Sequence, residues 1–235
     1  MKNILIPGLD EQYKLLNKQI VIKNFSFLFI GSGLEEIAKH YQSQTDKTIE
    51  IIVEDYDSLL NSRLKLGKDD NINSRMMDFE KTDFNGESFD IIYAQASTTK
   101  TNRNKIVKEV KRLLKPNGFY CVGETVSLTK EVPRFVNDIW GRSDLLPLYI
   151  EDVKKYYEER KFKILAFSNL TYTLKKFYYE VENTLSESLN SFNDDELQLH
   201  KKLITKISHE RNVYLKQGGD KHIGFVAMIM KKESN

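Results

Sequence analysis

The chain has 235 residues, of which 40% are hydrophobic, 11% aromatic and 30% charged, enough to close a sizeable core and to exclude wholesale disorder. Its 36 Lys and Arg nearly balance 34 Asp and Glu, a net charge of +2, which gives no global support to a nucleic-acid or membrane-surface role. A single cysteine, Cys121, excludes an intramolecular disulfide and a cysteine-rich zinc site, and no metal is expected.

In chain order, the apolar run Ile4–Pro7 is too short for a signal peptide, and no stretch of about 18 apolar residues follows, so a cytoplasmic chain with no membrane partner is expected. Phe25–Ile30 is almost wholly apolar and ends at Gly31, the pattern of a strand buried on both faces. Leu34–Tyr41 has helical spacing, Thr48–Val53 reads as a second strand, and Tyr56–Leu66 as a helix. A loop over Lys68–Ser74 leads to a third strand at Ser74–Met77, and Phe89–Ala94 is a strong fourth. Asn104–Leu114 is a helix stopped by Lys115-Pro116-Asn117-Gly118, and Phe119–Gly123 is the next strand. This alternation predicts a parallel, doubly wound α/β sheet. Beyond it come a helix at Ile150–Arg160, a strand at Phe162–Ser168, a charged helical stretch at Leu174–Lys216 and a final strand at Lys221–Lys231.

Three sites fall at the carboxyl ends of successive strands, where doubly wound sheets bind ligands. Gly31-Ser32-Gly33 follows the first strand; glycines permit a tight turn and close ligand approach, and the next helix adds free N–H groups. Glu54 and Asp55 close the second strand, where an acid accepts from ribose hydroxyls. Asp78-Phe79 follows the third, offering an acceptor for an adenine amino group and an aromatic beside its ring.

This series resembles the class I S-adenosylmethionine-dependent methyltransferases. FLFIGSGLEEIA is similar to their glycine motif, IIVEDYDSLL to the acidic second-strand motif, MMDFEKTDFNGESFDIIYAQAS to the adenine acid and fourth strand, and VKEVKRLLKPNGFYCVGE to the helix, turn and fifth strand. YIEDVKKYYEERKFKILAFSNLT and HIGFVAMIMKK look like the later strands. The resemblance implies a Rossmann-like seven-stranded sheet with an antiparallel last strand and a helical lid inserted between strands six and seven. It implies one domain over residues 1–235, with an N-terminal helical segment at 1–24, a cofactor-binding core at 25–125 and the insertion at 174–217. The implied cofactor is S-adenosylmethionine, held by Gly31, Ser32 and Gly33 at the methionine end, by Glu54 or its neighbour Asp55 at the ribose, by Asp78 and Phe79 at adenine, and by Ala94 and Gln95 as a wall. Two positions depart from the pattern. Phe29 replaces an acid that helps place the methionine part, and Glu35 replaces a third glycine. Glu35 either points away or pairs with the cofactor amine in place of the lost acid.

The acceptor would lie under the helical insertion, near Trp140, Arg142 and Tyr172. His222, at the start of the last strand, is a candidate general base, against the plainer reading of a surface histidine beside Lys221. The basic stretch from Lys100 to Lys115 reads as a solvated helix face rather than a nucleic-acid patch, and Cys121 reads as core. The expected activity is methyl transfer to a small molecule, at N, O or carboxylate. The alternatives are another S-adenosylmethionine-using enzyme, for aminopropyl transfer or rearrangement, and a non-catalytic protein on the same fold.

Overall fold

The computed structural model describes residues 4–67, 71–191, 205 and 207–233. The first half alternates as expected: α1 (Glu11–Gln19), β1 (Phe27–Ile30), α2 (Glu35–Gln42), β2 (Ile49–Val53), α3 (Tyr56–Leu66), β3 (Ile72–Met76), β4 (Phe89–Gln95), α4 (Arg103–Leu113) and β5 (Leu114–Ser127). Then come α5 (Arg134–Arg142), β6 (Leu148–Tyr149), α6 (Val153–Glu158), β7 (Phe162–Asn169), α7 (Tyr172–Ser191), a helix over 207–216, a 3₁₀ turn (Gly219–Lys221) and β8 (Ile223–Lys232). The sheet runs β3-β2-β1-β4-β5-β8-β7, with β6 paired to the end of β5. β8 is antiparallel to both its neighbours, and the other pairings are parallel. Among the described residues no helix is long and apolar enough to cross a membrane.

The period-2 pleat sorts the strand residues into two cores. Leu28, Ile30, Ile92 and Ala94 face α4 and α6, packing on Ile106, Val110 and Tyr157. Phe27, Phe29, Ile91 and Tyr93 face α1, α2 and α3, packing on Leu16, Ile37, Tyr41 and Leu59. Phe29 belongs to this second core. Its ring stacks on Phe27 at 5.8 Å and on Tyr41 at 6.3 Å, so an acid in its place would be buried without a partner.

Three expectations need correction. β3 starts at Ile72, so the end of the expected Lys68–Ser74 loop, from Ile72 to Ser74, is strand, while 68–70 lie outside the described residues. The Lys115–Gly118 turn is an outward bulge within β5, because the pairing register jumps between Phe89 and Ile91. β5 also runs on to Ser127 instead of ending at Gly123, since β8 pairs with it along its whole second part. The charged stretch Leu174–Lys216 is helical at each of its described residues, in α7 from Tyr172 and in the 207–216 helix, while 192–204 and 206 lie outside the described residues.

Asp90 explains why an aspartate opens β4. Its carboxylate accepts from the Ser26 N–H at 2.8 Å, the Ser26 hydroxyl at 2.7 Å and the Lys115 ammonium at 2.8 Å. It thereby ties the entry of β1 to the bulge of β5. Burial alone would raise this carboxyl, but Lys115 and Ser26 outweigh it and bring it down from 3.8 to about 2. A depressed carboxyl adds stability that is full above its unfolded value and lost as pH falls toward its folded one. Wild type should therefore lose stability between about pH 4 and pH 2, and Asp90→Asn, less stable at neutrality, should lose less over that interval. Urea midpoints at pH 7 and pH 3 check this; an equal acid loss in both proteins would assign it to other carboxyls.

Candidate active site

A cavity of about 460 Å³ opens over the carboxyl ends of β1, β2 and β4. That is the switch point where the strand order turns from β1-β2-β3 to β4-β5. Gly31 and Ser32 form its edge at β1. Gly31 has φ +113, and a Cβ there would stand 2.6 Å from the Ser97 Cβ, so only glycine fits this turn. The Ser97 hydroxyl donates to the Ile30 carbonyl at 2.5 Å and fastens β4 to the turn. Ala96, also on the wall, has φ 56, a costly left-handed conformation for a residue with a side chain.

Glu54 and Asp55 both reach the cavity, but they are engaged differently. Asp55 caps α3, accepting from the Ser58 N–H and the Ser58 hydroxyl, each at 2.8 Å. Glu54 makes an ion pair with Lys100 from the loop after β4. The Lys100 ammonium also lies 5.7 Å from the centre of the Phe79 ring, and Phe79 is buried with its ring on the cavity wall.

The N-terminal segment supplies a further wall through Ile6 and Pro7. Gln95 holds it there. Its amide donates to the Pro7 and Leu9 carbonyls, both at 2.8 Å, while its oxygen accepts from Tyr93 at 2.6 Å. Gln12 of α1 donates to the Ala94 carbonyl at 2.9 Å, and a Cβ on Gly123 would stand 1.9 Å from its side-chain oxygen, so α1 docks only against a glycine.

The far half of the cavity is aromatic. Trp140 from α5, Phe177 and Tyr178 from α7, and Glu210 from the 207–216 helix line it. Tyr178 stacks on Tyr214 at 4.7 Å, and Glu182 pairs with Arg211, so the two helices are locked together. Glu210 accepts from the Ser143 hydroxyl at 2.7 Å, which joins them to the end of α5. Burial, then the charge of Glu210, pushes the Tyr178 hydroxyl well above its ordinary range, so it remains a neutral phenol at physiological pH.

Residues 28–122 match the family model of a methyltransferase domain. The chain carries the class I methyltransferase fold. Among solved structures, it is similar to the [4+2]-cyclase SpnF, with TM-score 0.74, 14% identity, and coverage of 96% of this chain and 80% of that one. It is similar to the Haemonchus contortus phosphoethanolamine N-methyltransferase 2 in complex with S-adenosyl-L-methionine, with TM-score 0.79 and 15% identity, over 99% of this chain and 55% of that one. It is also similar to the geranyl diphosphate C-methyltransferase of Streptomyces coelicolor A3(2), with TM-score 0.70 and 13% identity, over 95% of this chain and 79% of that one. No curated protein sequence matches it.

Within this methyltransferase fold the cavity gathers Gly31, Ser32, Glu54, Asp55, Phe79, Gln95 and Trp140 from the residues singled out in the sequence. The others lie off its wall. Gly33 follows with φ +84, its own Cβ position 3.0 Å from Ile6. Asp78 is exposed and accepts from the Glu80 N–H at 2.8 Å. Ala94 is sealed in the sheet, because β4 continues to Gln95 and the wall is Gln95, Ala96 and Ser97. Arg142 is exposed at the end of α5, and Tyr172 is 67% exposed at the start of α7. His222 precedes β8 rather than starting it; its Nδ1 is 2.9 Å from the Thr129 hydroxyl, and Ile223 takes the place on the wall. Glu35 is buried and pairs with Lys65 of α3 at 3.5 Å, away from the wall.

Sequence reasoning did not reach Lys100, Ser97, Phe177, Tyr178 or Glu210. For Ser97 and Lys100 a signal existed, since the residues just after a strand that faces a switch point are candidates by position alone. Nothing local marks Glu210, which reaches the cavity by tertiary packing. Among the described residues no cluster of His, Cys, Asp and Glu could hold a metal ion.

Proposed function

We propose that this protein binds S-adenosylmethionine across the ends of β1, β2 and β4 and transfers its methyl group to a small molecule held under α7 and the 207–216 helix. One observation carries the reading: a single cavity joins the Gly31 turn, Glu54 and Phe79 to an aromatic half built by Trp140, Phe177 and Tyr178. The residues present fit the cofactor. The tight Gly31 turn, packed against Ser97, sets Ser32 at the edge where a methionine tail would lie, Glu54 offers a carboxylate to ribose hydroxyls, and Phe79 offers an apolar face to adenine. When bound, S-adenosylmethionine supplies a methyl group on a cationic sulfur, open to direct displacement. The chain's own part is to orient the acceptor and to exclude water, and alignment of this kind is the main source of rate when no strong base is needed. His222 lies off the cavity wall, so it has no part in this scheme.

The solved relatives support the cofactor. One was crystallised with S-adenosyl-L-methionine and another with S-adenosyl-L-homocysteine. The cyclase among them favours a second reading, other chemistry in the same kind of pocket. Product analysis separates the two. Incubation with S-adenosylmethionine and a pool of small amines, alcohols and carboxylic acids should yield S-adenosylhomocysteine and a product one CH₂ heavier. Methylthioadenosine, or an unconsumed cofactor beside a changed acceptor, would overturn methyl transfer.

A further inference from the structure

We infer that the acceptor is an amine on a small apolar body, held as its ammonium between Trp140, Tyr178 and Glu210 until it gives up one proton to water, after which its lone pair takes the methyl group and the sulfonium leaves as the neutral thioether. The inference rests on the methyl-transfer reading and narrows its acceptor from N, O or carboxylate to amine nitrogen. Four charged side chains reach the cavity, the acids Glu54, Asp55 and Glu210 and the cation Lys100. Lys100 is paired with Glu54, and Asp55 is occupied by the N-terminus of α3. Glu210, like Asp55, has no cationic partner among the described residues, but it caps no helix; its one described bond is from the neutral Ser143 hydroxyl. Among the described residues, the aromatic half of the cavity thus holds one half-buried carboxylate with no cation paired to it.

An unpaired carboxylate in such a place costs free energy unless a cation comes to it. The walls beside it have the same preference. Trp140 is 6% exposed, and the faces of Trp, Tyr and Phe rings attract ammonium groups within about 6 Å of their centres. The buried phenol of Tyr178 stays neutral beside Glu210 and adds no competing charge. A carboxylate or phosphate acceptor would meet Glu210 with repulsion at this end. A neutral alcohol would leave its charge unsatisfied. An ammonium answers both features.

Trp140 is the only tryptophan in the chain, so its fluorescence reports occupancy of this end without any turnover. The full-length protein is titrated with phenethylammonium, with the neutral 3-phenylpropan-1-ol and with the anionic 3-phenylpropanoate. Saturable quenching by the ammonium at least about 10-fold tighter than by the alcohol is expected, with the anion weakest. Glu210→Gln keeps an acceptor for Ser143 and should erase that preference while leaving the circular dichroism unchanged. Equal or tighter binding of the alcohol or the anion would overturn the inference. So would quenching by none of the three, or a preference that survives Glu210→Gln in the folded variant. Calorimetry with S-adenosylhomocysteine on the same samples separates the two levels. Nucleoside binding without ammonium preference ends the amine inference alone. Ammonium preference without nucleoside binding ends the methyl-transfer reading and leaves a cation site.

Discussion

Replacing Glu54 with alanine should weaken S-adenosylhomocysteine binding about 100-fold, whereas Asp55→Ala should leave it nearly unchanged. The two acids are neighbours, and both line the cavity. What separates them is their existing bonds. Asp55 already spends both oxygens on Ser58, at 2.8 Å each, so its loss removes a helix cap worth about 1 kcal/mol of stability. Glu54 stands at the cavity edge, where Lys100 meets its Oε2 and no helix N-terminus engages it. Two hydrogen bonds to a charged group contribute about 3 kcal/mol together, and about 1.4 kcal/mol is tenfold in affinity. Calorimetric titration of both variants, with urea unfolding as the stability control, reads the difference. A reversed order, with Asp55→Ala losing the ligand and Glu54→Ala keeping it, would move the ribose site by one residue.

Glu124→Ala should destabilise the fold by about 3–5 kcal/mol, the usual cost of removing one member of a buried ion pair. Glu124 is fully buried on β5. It accepts from the Tyr157 hydroxyl of α6 and from the Thr98 hydroxyl at 3.5 Å, and stands 3.3 Å from the Arg103 guanidinium of α4. Arg103 in turn donates to the Leu146 carbonyl at 2.6 Å. One carboxyl therefore joins β5, α4, α6 and the loop after β4. Burial holds it above the ordinary carboxylate range, although Arg103, Tyr157 and Thr98 each pull it back. Alanine would leave the buried Arg103 guanidinium without its counter-charge and the buried Tyr157 phenol with no acceptor. Glu124→Gln, which keeps an acceptor for Tyr157 and Thr98, should cost less than alanine does. Because Thr125, not Glu124, is on the cavity wall, the folded variants should retain most of their affinity for S-adenosylhomocysteine. Loss of that affinity with unchanged urea midpoints would instead place Glu124 in the binding site.

The strands were legible because a parallel strand buried on both faces leaves a continuous apolar run, as in FLFI, IEIIV and FDIIYA. The bounds of α3 were legible because Asp55 caps one end and Gly67, at φ 69, closes the other. The second part of β5 was not. It passes through Glu124 and Thr125, polar residues that enter the sheet only because partners far along the chain, Arg103 and Tyr157, satisfy the carboxyl. The cavity divides the same way. Its glycine turn and Glu54 stand at strand ends that any doubly wound sheet exposes, so position alone points to them. Its N-terminal wall depends on the Gln95 amide reaching Pro7 and Leu9, and its acidic end depends on helix packing through Tyr178 and Tyr214. Neither leaves a local pattern. Phe29 shows the converse. Where the resemblance leads one to expect an acid, the aromatic stack with Phe27 and Tyr41 makes the position part of the core.

The central claim is that the nucleoside cofactor lies over the ends of β1, β2 and β4. Direct ultraviolet cross-linking of S-adenosylmethionine to the full chain, followed by peptide mapping, tests it most directly. The account predicts adducts on peptides carrying Gly31–Gly33, Glu54–Ser58 or Phe79, suppressed by excess S-adenosylhomocysteine. Adducts confined to the basic groove of Lys105, Lys108 and Arg112 along α4, or labelling that S-adenosylhomocysteine does not suppress, would contradict it.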